Sequence, residues 1–192
     1  MKKSIGPDKV KTAVFISGTG SNLKNLIKFS FKKNSSISIN LIISNKSNAK
    51  GLKYANQQKI EKKIINFIST KESEKKIINL LVKKKISFIC LAGFMKILSN
   101  NFIKSFKYKI LNIHPSLLPK YKGLNTHQRV LKNKEKYSGC TVHFVTSKLD
   151  SGKIILQKKI KISKKDNHYS LSKKVLKKEH LIYPAAIKKI LN

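Results

Sequence analysis

A short apolar run that ends at a proline carries the side chains best suited to chemistry in this sequence. Residues 111–121 read Leu-Asn-Ile-His-Pro-Ser-Leu-Leu-Pro-Lys-Tyr. In a strand, residues i and i+2 point to the same face, so Asn112 and His114 are predicted to project side by side. Pro115 favours an extended backbone at His114 and should end the strand there. An amide that donates to an oxygen and an imidazole that moves a proton would then share one strand end, as in an acyl-transfer site.

Asp150 is a candidate partner for this pair, because the sequence has only eight carboxylates and this one stands in a tight turn two residues before Gly152. It is either an ordinary turn residue or a carboxylate that orients His114 and raises its pKa. Spacing alone leaves both interpretations open.

A glycine-containing loop, residues 17–22, follows the first predicted strand and reads Ser-Gly-Thr-Gly-Ser-Asn. Glycines let the backbone approach an anion closely, and the start of the next helix offers N–H groups and a positive dipole end. The spacing matches neither the P-loop nor the full dinucleotide fingerprint. The loop is therefore a phosphate cradle or a plain tight turn capped by Ser21.

The other candidate segments have structural and functional interpretations. Residues 91–98 follow a central strand and contain a glycine turn. This segment either packs against the core or presents its backbone groups to a ligand at the carboxyl end of the sheet. His143 lies within a predicted strand and His127 at a predicted helix start, and we interpret both as structural. His168 and His180 are interpreted as surface or helix-end residues.

The composition fits one soluble domain of 192 residues, 40% of them apolar. A net charge of +35 raises a nucleic-acid hypothesis, but Arg129 is the only arginine among 43 basic residues and the lysines are spread along the chain. We interpret the charge as compositional drift, with a selected polyanion-binding surface as the alternative.

The two cysteines are too few for a metal ribbon or a disulfide framework. The basic start, Met1 to Val10, has no apolar core of a signal peptide, and no apolar stretch reaches about 20 residues, so we expect a cytoplasmic protein without a membrane span.

Apolar runs alternate with amphipathic stretches in the first half, which predicts a doubly wound parallel sheet. The predicted strands are 10–16, 37–43, 64–68, 86–92, 111–114, 140–145 and 153–162, and the predicted helices are 22–33, 49–58, 73–84, 99–106, 126–133 and the tail from 169. The last two strands are expected to form a hairpin or a looped-out excursion, and Pro184 to kink or restart the last helix. The predicted fold class is α/β, a Rossmann-like mostly parallel sheet with helices on both faces and an antiparallel portion in the C-terminal half. We expect one domain, 1–192, because the sequence shows no internal repeat and no linker.

Taken in order, six segments resemble the phosphoribosylglycinamide formyltransferase family, a branch of the folate-dependent formyltransferases. They are residues 16–22, 91–98, 111–121, 142–146, 149–150 and 179–184. This family moves a formyl group from 10-formyltetrahydrofolate to glycinamide ribonucleotide in purine biosynthesis. The resemblance extends from about residue 12 to residue 190. It implies a nucleotide-phosphate-binding half at 10–95 and a folate-binding and catalytic half at 96–192.

The resemblance implies roles for individual residues, with Asn112, His114 and Asp150 as the catalytic trio. Glycinamide ribonucleotide would contact Gly20, Ser21, Asn22, Leu176, Lys177, Lys178 and Glu179. Folate would contact Met95, Lys96, Ile97, Leu98, Asn112, Thr146, Ser147, Lys148, Leu149 and Asp150. The implied reaction is a direct transfer with no covalent enzyme intermediate and no metal. The implied partners are the two small molecules, with no membrane and no nucleic acid, and the chain would be a monomer or a weak homodimer.

Three alternatives were weighed against this resemblance. Methionyl-tRNA formyltransferase needs a long C-terminal RNA-binding domain, and its first loop differs from residues 17–22. Formyltetrahydrofolate hydrolase carries an extra N-terminal domain, whereas the first strand here begins near Val10. The third is a basic nucleic-acid-binding protein on an inherited enzyme fold, and the retained Asn112, His114, Asp150 and Glu179 argue against it. Two positions depart from the family pattern: Thr19 replaces a common Asn, and Ser151 replaces one of two glycines.

Overall fold

Strands and helices alternate along residues 9–191, which are the residues that the computed structural model describes. The basic start as far as Asp8, where we expect no signal peptide, lies outside the described residues. The strands are β1 Val10–Ile16, β2 Ile37–Ser44, β3 Lys62–Ile64, β4 Phe88–Leu91, β5 Lys109–His114, β6 Tyr137–Phe144 and β7 Ile154–Lys161. The helices are α1 Ser21–Ser30, α2 Leu52–Gln57, α3 Thr70–Lys83, α4 Asn100–Ser105, α5 Thr126–Lys132 and α6 His168–Leu191.

The described residues form two compact units, and the first runs as far as residue 110 and also contains the end of the last helix from residue 187. Its strands pair in parallel, β1 with β2 and β4, and β2 with β3. The order β3-β2-β1-β4 is that of a Rossmann-like doubly wound sheet, in which ligands bind beyond the carboxyl ends of the strands. β4 and most of β1 and β2 are buried, which explains their near-continuous apolar sequences.

The second unit, residues 111–186, contains an antiparallel ladder. β5 pairs with β6 and β6 pairs with β7, so the predicted hairpin is confirmed. The strand order over both units is β3-β2-β1-β4-β5-β6-β7. The edge strand β7 is largely exposed and carries Lys158, Lys159 and Lys161, and such charges discourage pairing with other chains.

The structure confirms the predicted fold class, a mostly parallel α/β sheet with an antiparallel C-terminal portion. One detail was wrong, and one of the two alternatives for Pro184 is excluded. The third strand ends at Ile64 and does not extend to Ile68, because its partner β2 ends at Ser44, which pairs with Ile64. Pro184 lies inside an uninterrupted α6 and does not restart it. The buried Tyr183 anchors this part of the helix by donating its hydroxyl to the Leu111 carbonyl at 3.2 Å.

No helix within residues 9–191 is both long enough and apolar enough to cross a membrane. The prediction of one domain with halves divided near residue 95 stays a prediction.

Candidate active site

The antiparallel pairing of β5 and β6 brings the first polar side chains of the site together. Asn112 and His114 lie on β5, two residues apart, and Asn112 stands directly opposite His143 of β6. The Asn112 Nδ2 atom is 3.2 Å from His143 Nε2. His114 and His143 are 5% and 2% exposed. The strand ends at His114, as the following proline predicts.

Asp150 reaches these side chains from the turn between β6 and β7. Its Oδ2 atom is 3.3 Å from His114 Nδ1, and its Oδ1 atom is 3.6 Å from His143 Nε2. Asn112 Nδ2 donates to Oδ1 at 3.4 Å, and the Gly123 backbone N–H donates to Oδ2 at 2.9 Å. The structure therefore brings together the predicted trio, and it adds His143 as a fourth member. We call Asn112, His114, His143 and Asp150 the polar cluster.

Close backbone packing fixes the turn that carries Asp150. A Cβ atom on Gly152 would lie 1.8 Å from the Phe144 carbonyl oxygen, so only glycine fits at this position. Asp150 itself has a φ of 45°, in the left-handed region that non-glycine residues seldom adopt. A strained residue held by its surroundings is typical of functional sites. The sequence departure at Ser151 thus leaves the essential glycine in place.

The loop after β5 makes a second contact with His114. His114 Nε2 lies 2.8 Å from the carbonyl oxygen of Tyr121, a residue with a φ of 57°. Thr141 of β6 holds the start of this loop, because its hydroxyl donates to the Ser116 carbonyl at 2.6 Å and accepts from Leu118 N–H at 3.1 Å. Gln157 of β7 donates to the same Thr141 hydroxyl at 2.9 Å. These contacts fix where the Tyr121 carbonyl meets the imidazole.

Burial and neighbouring groups oppose each other in setting the pKa of His114. Burial lowers the pKa below its ordinary value of 6.5, whereas the Tyr121 carbonyl and the Asp150 carboxylate raise it, and burial prevails. Asp150 thus acts in the predicted direction but does not determine the net shift. Both ring nitrogens face acceptors, so the imidazolium is the form that donates to both. An additional negative charge beside His114 would therefore favour its protonation.

The pKa of Asp150 is lowered, so the carboxylate is ionised at neutral pH. Burial alone would raise this pKa, but the bonds from His143 and the Gly123 N–H and the charges of the two histidines outweigh burial. An ionised acceptor next to His114 fixes the orientation of the imidazole.

Sequence reasoning missed four contributors to the cluster. They are His143, Thr141, the Tyr121 carbonyl and the Gly123 N–H. His143 was interpreted as structural, and the signal that could have identified it is the hairpin register that places it opposite Asn112. The two backbone groups leave no mark in the sequence, because any residue supplies them.

The remaining predicted residues lie elsewhere in the two units. In the first, Gly20 precedes α1, Ser21 and Asn22 begin it, and residues 95–98 follow β4, with Met95 and Ile97 exposed. In the second, residues 146–149 belong to the β6–β7 connection, and residues 176–179 form one turn of α6. Glu179 is buried, and its charge, after burial itself, helps raise the pKa of the Cys140 thiol to about 12. Within the described residues, no group of three His, Cys, Asp or Glu side chains is arranged to hold a metal.

Residues 10–187 match the model of the formyl transferase family, so this chain belongs to that family. Phosphoribosylglycinamide formyltransferase of Haemophilus influenzae is 41% identical over 181 residues, which cover 93% of this chain and 85% of the relative. The crystal structure of phosphoribosylglycinamide formyltransferase from Brucella melitensis superposes with a TM-score of 0.91 at 39% identity and covers 96% of each chain.

A longer relative shows the same similarity over part of its length. The human trifunctional purine biosynthetic protein adenosine-3 is 43% identical over 182 residues, which are 93% of this chain. The chain spans 18% of the length of that relative. The resemblance drawn from the sequence is therefore confirmed at the level of the family.

Proposed function

We propose that this chain transfers the formyl group of 10-formyltetrahydrofolate to the amine of phosphoribosylglycinamide. The observation that carries this proposal is the convergence of Asn112, His114 and Asp150 at a strand end in a member of the formyl transferase family. Relatives named for this activity match most of the chain and most of their own length. An amide donor, an imidazole and an ionised carboxylate are the groups that acyl transfer to an amine requires.

The nucleotide phosphate is assigned to the loop at Gly20, Ser21 and Asn22. Gly20 has a φ of 73°, and α1 begins at Ser21 with no side-chain cap at Gly20. Ser21 is thus the first residue of α1 and not its cap, and a plain tight turn stays the alternative to the phosphate cradle. The first turn of a helix presents backbone N–H groups and a positive dipole end, which suit a phosphate. Further nucleotide contacts are assigned to Leu176, Lys177, Lys178 and Glu179, as the family resemblance implies.

The folate is assigned to two segments that contain exposed apolar side chains. Met95 and Ile97 are 59% and 63% exposed, and Leu149 is 48% exposed. Exposed apolar groups beside polar backbone suit a flat aromatic ligand. The full set comprises Met95, Lys96, Ile97, Leu98, Asn112, Thr146, Ser147, Lys148, Leu149 and Asp150.

The reaction proceeds by direct attack of the nucleotide amine on the formyl carbon. A bond forms between the amine nitrogen and this carbon, and the formyl oxygen gains negative charge in a tetrahedral intermediate. Asn112 offers an N–H to this oxygen, and removing such a donor typically costs about 10²–10³-fold in rate. Collapse of the intermediate breaks the bond from carbon to the folate N10 atom.

His114 moves the proton that this exchange requires, from the attacking amine to the departing folate nitrogen. Its pKa is low in the free protein, and the charge on the oxyanion raises it as the intermediate forms. Asp150, ionised and 3.3 Å away, stabilises the resulting imidazolium. The imidazole is therefore charged when the reaction needs a proton donor and returns to its low pKa afterwards.

One assay tests the function directly: purified protein with 10-formyltetrahydrofolate, with and without phosphoribosylglycinamide, followed by folate absorbance. We expect loss of the formyl group only when the nucleotide is present, with formylated nucleotide as the product. Nucleotide-independent loss would indicate a hydrolase and contradict the proposal. The proposed reaction uses small-molecule substrates and does not require nucleic acid as a partner. The oligomeric state, a monomer or a weak homodimer, stays a prediction, and so does the cytoplasmic location.

A further inference from the structure

The Ser17 side chain lies between three loops at the carboxyl ends of parallel strands in the first unit. It follows β1, and it contacts residues that follow β2 and β4. The Ser17 hydroxyl donates to Asn45 Oδ1 at 2.5 Å and accepts the Met95 backbone N–H at 2.7 Å. The Ser17 backbone N–H donates to the Gly93 carbonyl at 3.1 Å. One buried residue thus bonds to both neighbouring loops.

The loop after β2 also fixes the glycine loop through its backbone. The Gly51 N–H donates to the Gly18 carbonyl at 2.9 Å. Gly20 and Gly51 touch through their backbones, because a Cβ atom on Gly20 would lie 2.5 Å from the Gly51 Cα atom. The loop that we assign to the phosphate therefore has no freedom to shift toward Gly51.

These bonds are strong constraints because they are buried. Ser17 and Asn45 are 5% and 8% exposed, so water does not readily replace either partner. Leaving one buried donor or acceptor without a partner is unfavourable, because water cannot replace the lost hydrogen bond. A displacement of residues 93–95 must therefore move Ser17, and a displacement of Ser17 must move the glycine loop that begins at Gly18.

We propose that Ser17 is a positioning residue that couples nucleotide binding at residues 20–22 to folate binding at residues 95–98. The inference rests on the proposed function, which assigns a ligand to each segment. A ligand bound to either segment restricts the positions of that segment. The hydrogen bonds of Ser17 then restrict the other segment as well, so the second ligand binds with a smaller loss of conformational entropy. Coupling of this kind is reciprocal between the two ligands.

Calorimetry with unreactive ligand pairs measures this coupling. The dissociation constant of phosphoribosylglycinamide is determined alone and with saturating tetrahydrofolate, which lacks the formyl group. We expect the folate to tighten nucleotide binding by about fivefold or more in the unsubstituted protein. In Ser17→Ala the ratio should fall to about one. Retention of the full ratio in Ser17→Ala, or a ratio of one in the unsubstituted protein, would overturn the inference.

Matched variants separate positioning from stability. Ser35 is equally buried in the same unit and donates to the Ile37 carbonyl at the amino end of β2, so Ser35→Ala should lower the melting temperature and keep the coupling. Asn45→Asp keeps an acceptor for the Ser17 hydroxyl and Asn45→Ala removes it. We expect coupling to persist in the first and fall in the second, which tests the inference even when Ser17→Ala does not fold. Equal coupling in the two Asn45 variants would contradict it.

The result also distinguishes this inference from the proposed function. An unsubstituted protein that binds neither ligand would refute the function itself. An active protein whose coupling is insensitive to Ser17 and Asn45 would refute the inference alone.

Discussion

The polar cluster and the glycine loop differ in the groups that the proposed reaction uses. The cluster in the second unit offers side-chain groups, those of Asn112, His114, His143 and Asp150. The glycine loop in the first unit depends on backbone groups and on the lack of side chains at Gly20 and Gly51. Moving a proton requires a group with a suitable pKa, whereas holding a phosphate requires only N–H groups that can come close.

The two regions should therefore fail in different ways when they are substituted. Loss of a cluster side chain removes an interaction made in the transition state, so it should lower kcat. A side chain added to the glycine loop moves the cradle, so it should raise the KM for the nucleotide. The following predictions test this difference, beginning with the largest effect.

His114→Ala should lower kcat by about 10²–10⁴-fold with little change in the KM for either substrate. The physical reason is the loss of the imidazole at the end of β5, which the proposed mechanism uses to move the proton and which lies 3.3 Å from Asp150. Steady-state kinetics measures the effect, and the melting temperature verifies folding. His168→Ala is the matched control, since His168 lies at the start of α6 and contacts Tyr169 rather than the cluster. Near-normal turnover in His114→Ala would show that the cluster does not take part in the reaction.

Gly20→Ala should raise the KM for phosphoribosylglycinamide by about tenfold, because a left-handed backbone costs a residue with a Cβ atom about 1–2 kcal/mol. The added Cβ would also meet the Gly51 backbone. The KM for the folate should change less. Gly18→Ala is the matched control, since a Cβ atom there has no neighbour within 4 Å. Equal effects of the two substitutions would show that the close approach does not shape the cradle.

The pKa of His114 should lie below 6.5 in the free protein and fall further in Asp150→Asn, because burial lowers it and the carboxylate raises it. An NMR titration of the imidazole measures both values. A pKa unchanged by Asp150→Asn would contradict the proposed contact. Because the folded-state pKa values of His114 and Asp150 are both lowered, protonation of either group favours the unfolded chain. Stability should therefore decrease as the pH falls below about 6.5, and decrease again below about 3.8.

The few carboxylates differ from the many lysines in how they are placed. Most of those in the described residues make a specific contact: Glu61 with Lys84, Glu74 with Ser99, Glu135 with Lys120 and Tyr121, Asp150 with the cluster, and Asp166 with Lys174 and Ser170. The lysines occur on nearly every element. This contrast is the pattern expected from compositional drift that spares carboxylates with a structural or chemical role.

Salt should produce the smallest effect. Raising the ionic strength from about 0.01 to 0.2 M should lower kcat/KM a few-fold, because the positive field that attracts the two anionic substrates is screened. The value of kcat should hardly change, since the buried cluster is shielded from salt. Measuring kcat and kcat/KM across this range of ionic strength distinguishes an effect on substrate binding from an effect on the chemical step. A flat kcat/KM would mean that the charge of +35 has no part in substrate capture.

Local patterns in the sequence predicted the fold class and the placement of Asn112 and His114 on one strand, whereas the family resemblance made Asp150 the third member of the predicted trio. The two-residue spacing of Asn112 and His114 and the proline after them correctly placed both side chains at a strand end. The turn position of Asp150 identified a candidate, but the contact with His114 depends on pairing across 36 residues of chain. His143 was misinterpreted for the same reason, because its role depends on the β5–β6 register rather than on its neighbours in sequence.

Other features were inaccessible to sequence patterns for different reasons. The end of β3 is set by the end of its partner strand, and the continuity of α6 through Pro184 is set by buried neighbours such as Tyr183. The net pKa shift of His114 depends on how burial and two acceptors balance, which requires their distances. The sequence pattern thus identified candidate side chains for the reaction, and the fold determines their distances and their pKa values.

A double-mutant cycle on His114 and Asp150 tests the central claim most directly. Single-turnover transfer of an isotopically labelled formyl group is measured in His114→Ala, Asp150→Ala and the double variant. If Asp150 acts through His114, the double variant should be no slower than His114→Ala alone, because a carboxylate without its imidazole has nothing to orient. Losses that multiply in the double variant, or transfer that stays near normal in either single variant, would contradict the account.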